Sequence, residues 1–146
     1  MLNSIEDFLS PSEEQQVIDA IRTAELNTSG EIRVHLEGCC NGDPFERALD
    51  VFTILRMDNT KSQNAVLIYV AVHDHNFAVC GDKGINTVVP DSFWDNTKDD
   101  IENHFKKKRF AEGLSQGILK IGEQLKAHFP WNEGDVNELP DSISSS

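Results

Sequence analysis

Asp58, Asn64 and Asp82 carry hard carboxylate and amide oxygens, the donor type that Ca²⁺ and Mg²⁺ require. Three such residues do not fill a Ca²⁺ shell, so backbone carbonyls and water would have to complete it. The surrounding sequence says how two of them meet. Asn64 immediately precedes an unbroken apolar run from Ala65 to Val72, and Asp82 lies in Gly81-Asp82-Lys83-Gly84, directly after a second run from Phe77 to Cys80. The polar stretch His73-Asp74-His75-Asn76 joins the runs, which is the pattern of a β-hairpin. A hairpin sets the start of its first strand beside the end of its second. Asn64 and a Gly81–Gly84 loop are therefore predicted to converge at one end of the sheet, with Asp58 one loop away. A cation held there would screen a phosphate and activate water. Lys83 would reach an oxyanion, while Gly81 and Gly84 would let the backbone approach a ligand.

Other constellations are weaker. His73-Asp74-His75 resembles a metal motif but flanks a turn, at the opposite end of the sheet from Asp82, where Glu37 and Asp43 are its predicted neighbours. A plain hairpin turn is the expectation. The chain has no GxGxxG or GxxxxGK[ST] phosphate loop and no GxSxG elbow, so nucleotide binding or a serine triad by motif is unsupported. Cys39, Cys40 and Cys80 form no disulfide framework or zinc-ligand spacing, and ordinary reduced thiols are expected.

The elements that must position these residues follow from periodicity. Ser10-Pro11-Ser12-Glu13 reads as a capping box with proline at the first helical position, followed by Val17, Ile18, Ile21 and Ala24 on one face. Residues 31–37 alternate, with Ile32, Val34 and Leu36 on one side and Arg33 and His35 on the other, so a strand with a solvent-facing His35 is predicted. Asp43-Pro44-Phe45-Glu46 opens a second helix with the stripe Phe45, Ala48, Leu49, Phe52 and Leu55, read as core. The run 65–72 is apolar on both faces, which predicts a central strand, parallel to 31–37 and antiparallel to 77–80. Two further helices carry Phe93, Trp94, Thr97, Ile101 and Phe105, then Leu114, Ile118, Ile121 and Leu125. Gly113 and Gly117 in the last helix point to close helix packing.

Length and charge bound the rest. The 146 residues predict one α/β domain over 1–130 and an acidic, Ser-ended tail over 131–146 whose end is expected to be unstructured. The net charge of −12 argues against nucleic-acid binding, and Lys106-Lys107-Lys108-Arg109 reads as a solvated helix end. No apolar run approaches a membrane span and no secretory leader is evident, so a cytoplasmic protein without membrane insertion is expected, as a monomer.

The ordered segments FLSPSEEQQVIDAIRTAE, TSGEIRVHLE, DPFERALDVF, NAVLIYVAVHDHNFAVCGDKGI and RFAEGLSQGI, spanning about residues 8 to 128, resemble the TPM domain family. That family is named after a thylakoid-lumen phosphatase, a photosystem II repair protein and a nematode receptor modulator. The tail WNEGDVNELPD is similar to that of the stand-alone branch. The resemblance implies a three-layer α/β/α sandwich of Rossmann-like type, with a small mixed sheet and helices on both faces. It also implies divalent-cation binding in some members and phosphatase or nucleotide-phosphohydrolase activity in a few. The family's Asn and following Gly fall on Asn64 and Ala65, its glycines after the hairpin on Gly81 and Gly84, and its hairpin acid on Asp74. Ala65 replaces the usual Gly, and Gln63 replaces an Asp common in membrane-attached members, a loss that Asp82 could offset. Two functions follow: metal-dependent hydrolysis of a phosphorylated small molecule or nucleotide, or a non-catalytic module that binds a protein partner, with or without the cation.

Overall fold

The structure is a computed structural model and describes residues 8–131 and 143–145. Helix α1 (Pro11–Glu25) begins where the sequence places it. Ser10 Oγ accepts from the Glu13 amide and Glu13 Oε1 accepts from the Ser10 amide, a reciprocal cap of the kind worth about 1 kcal/mol. Strand β1 (Glu31–Glu37) leads to α2 (Pro44–Ile54), capped by Asp43. A 3₁₀ turn (Met57–Asn59) then precedes β2 (Ala65–Ala71) and β3 (Asn76–Gly81). Three helices follow, α3 (Lys83–Val88), α4 (Asp91–Lys106) and α5 (Phe110–His128), and β4 (Ser144–Ser145) is the last element among the described residues.

The sheet has the order β3-β2-β1-β4. Strand β2 is buried along its whole length, parallel to β1 from Glu31↔Ala65 to Glu37↔Ala71 and antiparallel to β3 from Val66↔Gly81 to Ala71↔Asn76. This is the arrangement predicted from its two-sided apolarity. Each face of β2 meets a different core. Val66, Ile68 and Val70 pack with Ile32, Val34 and Leu36 against α1, α4 and α5. Ala65, Leu67, Tyr69 and Ala71 pack against Ala48, Val51 and Phe52 of α2 and Met57 of the 3₁₀ turn. Helices therefore cover both faces of a mixed sheet, giving the three-layer α/β sandwich that was expected. The glycines of α5 act as the sequence suggests. A Cβ on Gly117 would come within 2.7 Å of Ile101 Cδ1, and one on Gly122 within 2.6 Å of Ala24 Cβ.

Four expectations differ from the structure. Gly81–Gly84 is not a loop: Gly81 ends β3, Asp82 caps α3, and Lys83 and Gly84 are its first helical residues. The Asp82 carboxylate accepts from the Lys83 amide, and that cap, with Ile85 buried beneath, turns the loop signal into a helix start. His35 is not solvent-facing but only 3% exposed. Its Nδ1 lies 2.9 Å from Ser144 Oγ and its ring stacks on Tyr69. The end of the tail is not without structure: Ser144 and Ser145 pair in parallel with His35 and Leu36, and Ile143 packs on the core. Residues 132–142 and 146 of that tail lie outside the described residues. On α2, Ala48 and Phe52 are buried as read, but Phe45 and Leu49 are nearly half exposed, because the helix turns its Ala48–Val51–Phe52 side to the sheet.

Candidate functional site at the base of the hairpin

The hairpin register brings Asn64 and Asp82 together. The Asp82 amide donates to the Ala65 carbonyl at 2.9 Å, and the Asn64 carbonyl accepts from the Glu31 amide. The start of β2, the end of β3 and the start of β1 thus meet at one place. Asn64 is 1% exposed, and its Nδ2 donates to Ser29 Oγ at 3.2 Å. That bond points the amide across the strand ends toward the loop before β1. Asp82 is 9% exposed and holds its two oxygens in different states. Oδ1 accepts from the Lys83 amide at 2.7 Å, whereas Oδ2 is buried with no hydrogen-bond partner among the described residues.

Residues 60–64 form the wall opposite α3. Gly84 lies directly on their backbone: a Cβ there would be 2.3 Å from the Ser62 carbonyl oxygen and 2.5 Å from that of Gln63. The Thr60 side chain in this segment is buried, and its Oγ1 also lacks a partner among the described residues. Sequence pattern could not single out Thr60, because threonine in a polar connection carries no distinguishing signal. Of the remaining residues, Gly81 offers its carbonyl to Asn86 Nδ2 at 2.7 Å, and Lys83 is exposed. Asp58 is exposed on the 3₁₀ turn, and no hydrogen bond joins it to Asn64 or Asp82. Neighbouring Cys80 is unreactive: burial, and then the charge of Asp82, push its thiol up to about 11.

The other end of the hairpin is bonded more completely. Glu37 takes a bidentate pair from Arg47, Nε to Oε1 at 2.9 Å and Nη2 to Oε2 at 2.7 Å. The buried Tyr69 hydroxyl adds a third bond to Oε1 at 2.6 Å. Burial first, and then this bond, raise the Tyr69 phenol well above its ordinary value, so it serves as a fixed donor. At the turn itself, Asp74 accepts from the Cys40 amide at 3.2 Å and His73 Nδ1 lies 3.4 Å from Cys39 Sγ. The His-Asp-His sequence is therefore a turn that ties the loop after β1 to the hairpin. Among the described residues no group of three or more His, Cys, Asp or Glu side chains is arranged to hold a metal. A cation site at the base of the hairpin would draw on amide, hydroxyl and carbonyl oxygens around the buried carboxylate of Asp82, with that of Glu31 also buried at the start of β1.

Known proteins place this architecture. The family model described as TPM domain matches residues 2–124. No curated protein matches the chain. The NMR structure of the BA42 protein from the psychrophilic bacterium Bizionia argentinensis is similar at 55% identity and a TM-score of 0.90, over 99% of this chain and 100% of that one. The N-terminal domain of a protein from P. gingivalis aligns at 21% identity and a TM-score of 0.70, over 86% of this chain and 83% of that one. The N-terminal domain of the cg2496 protein from Corynebacterium glutamicum aligns at 14% and 0.64, over 80% and 74%. At these last identities the likeness is one of fold alone. No helix among the described residues is long and apolar enough to cross a membrane.

Proposed function

The chain belongs to the TPM domain family, and on that premise we propose that it is a divalent-cation-binding domain whose site is the base of the β2–β3 hairpin. The observation that carries this reading is the orphaned Asp82 Oδ2, a carboxylate oxygen buried without a partner. Leaving such an oxygen unsatisfied costs about 1–3 kcal/mol or more, and a cation would offset that cost. Thr60 Oγ1, in the segment that lies on Gly84, is likewise without a partner. Asp82, Asn64 and Thr60, with carbonyls of residues 62–63, are the donors on offer. They are hard oxygens suited to Ca²⁺ or Mg²⁺ and not to zinc. Asp58 enters only through the adjoining turn. A bound divalent ion supplies charge neutralisation to an anionic ligand.

A second reading is metal-dependent phosphoester or phosphoanhydride hydrolysis at the same site. It is favoured by one observation, the exposed Lys83 next to Asp82 at the first position of α3. A phosphate approaching Asp82 would meet this ammonium group. Gly81 and Gly84 would frame the approach with backbone alone. Glu31, 2% exposed at the start of β1, is a second buried carboxylate at this end, and the binding reading stands first because the orphaned Asp82 oxygen calls for a cation whether or not chemistry follows.

Calcium titration followed by thermal melting and amide NMR tests both readings. Binding to the native state raises the melting temperature with concentration. Shifts are expected at residues 60–64 and 81–84, and Asp82→Asn is expected to abolish the rise. Shifts confined to Glu37, Asp43 and Asp74 would move the site to the hairpin tip, and no response to Ca²⁺ or Mg²⁺ would leave a metal-free interaction module. Phosphate release from nucleotides and monoesters, with and without metal, separates enzyme from binder.

A further inference from the structure

We propose that this chain carries a second, anionic-ligand site at the opposite end of the hairpin, in the cavity between the hairpin tip and the C-terminal end of α4, and that its ligand is an aromatic phosphate monoester of nucleoside monophosphate size. This site stands independently of the cation reading. The cavity has a volume of about 360 Å³ and is lined by His75, Phe77, Glu102, Phe105, Lys106 and Lys108. That lies within the range of cavities that take small organic ligands, about 300–1,000 Å³.

Its chemistry is unusual for the molecule that holds it. The chain has a net charge of −12, yet two lysines from the basic run face one concave surface. Neither Lys106 nor Lys108 has an ion pair among the described residues. A helix end alone accounts for part of this, because cations complement the α4 C-terminus. Lys108 follows the Lys107 cap at φ 59° in a Schellman end, its amide donating to the Phe105 carbonyl and the Arg109 amide to that of His104. His75 takes φ 56° in the hairpin turn. The helix end and the turn set these two conformations, and both residues line the cavity.

The floor is aromatic. Phe77 and Phe105, which line the cavity, lie 5.2 Å apart between ring centroids, and Phe110, outside the lining, packs on Phe105 at 5.1 Å and on His75 at 5.0 Å. The lining rings offer a planar ligand edge-to-face and stacking contact, while the lysine ammonium groups take the phosphate oxygens. Glu102 selects among such ligands. Its carboxylate accepts from a hydroxyl or amino group, which a nucleoside has and a bare aryl phosphate lacks. It also repels a densely charged polyphosphate, as does the net charge of the chain.

The test uses the full chain with EDTA present, so that no cation contributes at Asp82, and AMP as the probe. Titration followed by amide NMR is expected to shift residues 75–77 and 105–108. Adenosine and inorganic phosphate are each expected to bind at least about ten-fold more weakly than AMP, since each lacks one half of the contact. K106Q/K108Q is expected to weaken AMP about ten-fold or more with the melting temperature unchanged. Raising salt should weaken binding to the unmutated chain, which reads the same charges without a substitution. Phenyl phosphate tests Glu102: binding weaker than AMP supports the nucleoside reading, and equal binding overturns that part. AMP shifts centred on Asn64 and Asp82, wild-type affinity in K106Q/K108Q, or no binding at millimolar AMP would overturn the site.

Discussion

At the tip end of the β2–β3 hairpin, both oxygens of Glu37 are bound by Arg47, with Tyr69 making a third bond. At the base, Asp82 caps one amide with Oδ1 and leaves Oδ2 buried and unpartnered. Each carboxylate stands beside an end of β2, and each is mostly removed from water. The difference separates structure from function in a way burial alone does not. A satisfied buried carboxylate lowers the energy of one packing arrangement. An unsatisfied one raises the energy of the free protein, a cost that a ligand meeting it would offset.

The largest expected effect tests the satisfied end. Glu37→Ala strands a buried hydroxyl and a guanidinium, and is expected to cost about 2–4 kcal/mol in denaturant unfolding. Tyr69→Phe, which removes one bond and leaves Arg47 paired, should cost about half as much. A loss under about 0.5 kcal/mol for Glu37→Ala would mean that the network is not structural, and the contrast with Asp82 would fail.

Gly84→Ala comes next and probes the shape of the base. The new Cβ would press on the carbonyl oxygens of Ser62 and Gln63, backbone atoms that can move only by shifting the segment. Overpacking of this kind costs about 1–3 kcal/mol. If cation binding uses this wall, Ca²⁺ affinity should fall as well. Full stability in Gly84→Ala, measured by thermal melting, would show that the base is more pliable than its contacts indicate.

These two ends were not equally legible in the sequence. The strand order and the meeting of Asn64 with Asp82 follow from apolar runs and a polar turn, because a hairpin fixes register locally. The Glu37–Arg47–Tyr69 network escaped, since its members sit on β1, α2 and β2 and nothing in their spacing links them. Thr60 escaped for the same reason. The basic run 106–109 was visible, but its cavity was not, because His75 and Phe77 reach it from the hairpin, another part of the chain. His35 was misplaced because alternation assigns a face and cannot know that a C-terminal strand will cover it. The Gly81–Gly84 segment was misread because glycine signals a turn and a helix start alike.

The pH dependence of stability addresses β1, which connects the two ends. Burial lowers the His35 pKa below its ordinary 6.5, against the opposing pull of Glu37. Between the lowered value and 6.5 the unfolded chain binds more protons than the native one, so stability rises with pH through that window and is complete above 6.5. The melting temperature is therefore expected to fall on acidification below 6.5, and His35→Gln should flatten that slope. Loss of the Ser144 contact should accompany the fall, seen as amide shifts at residues 143–145. An unchanged slope in His35→Gln would assign the acid sensitivity to other groups.

The smallest expected effect is the sharpest test of the comparison. Asp82→Asn, measured without metal, should change stability by no more than about 0.5 kcal/mol. Asparagine caps a helix about as well as aspartate, so the bond to the Lys83 amide survives. The atom replaced at Oδ2 had no partner among the described residues, so no bond is lost there. Removing a buried negative charge could even stabilise the free protein. Two carboxylates of similar burial would then respond oppositely, one costing several kcal/mol when altered and the other almost nothing. Urea unfolding of Asp82→Asn in EDTA decides it. A cost above about 1.5 kcal/mol, the net worth of a typical hydrogen bond, would mean that Asp82 is satisfied in the free protein, which would make the base of the hairpin a structural joint like its tip.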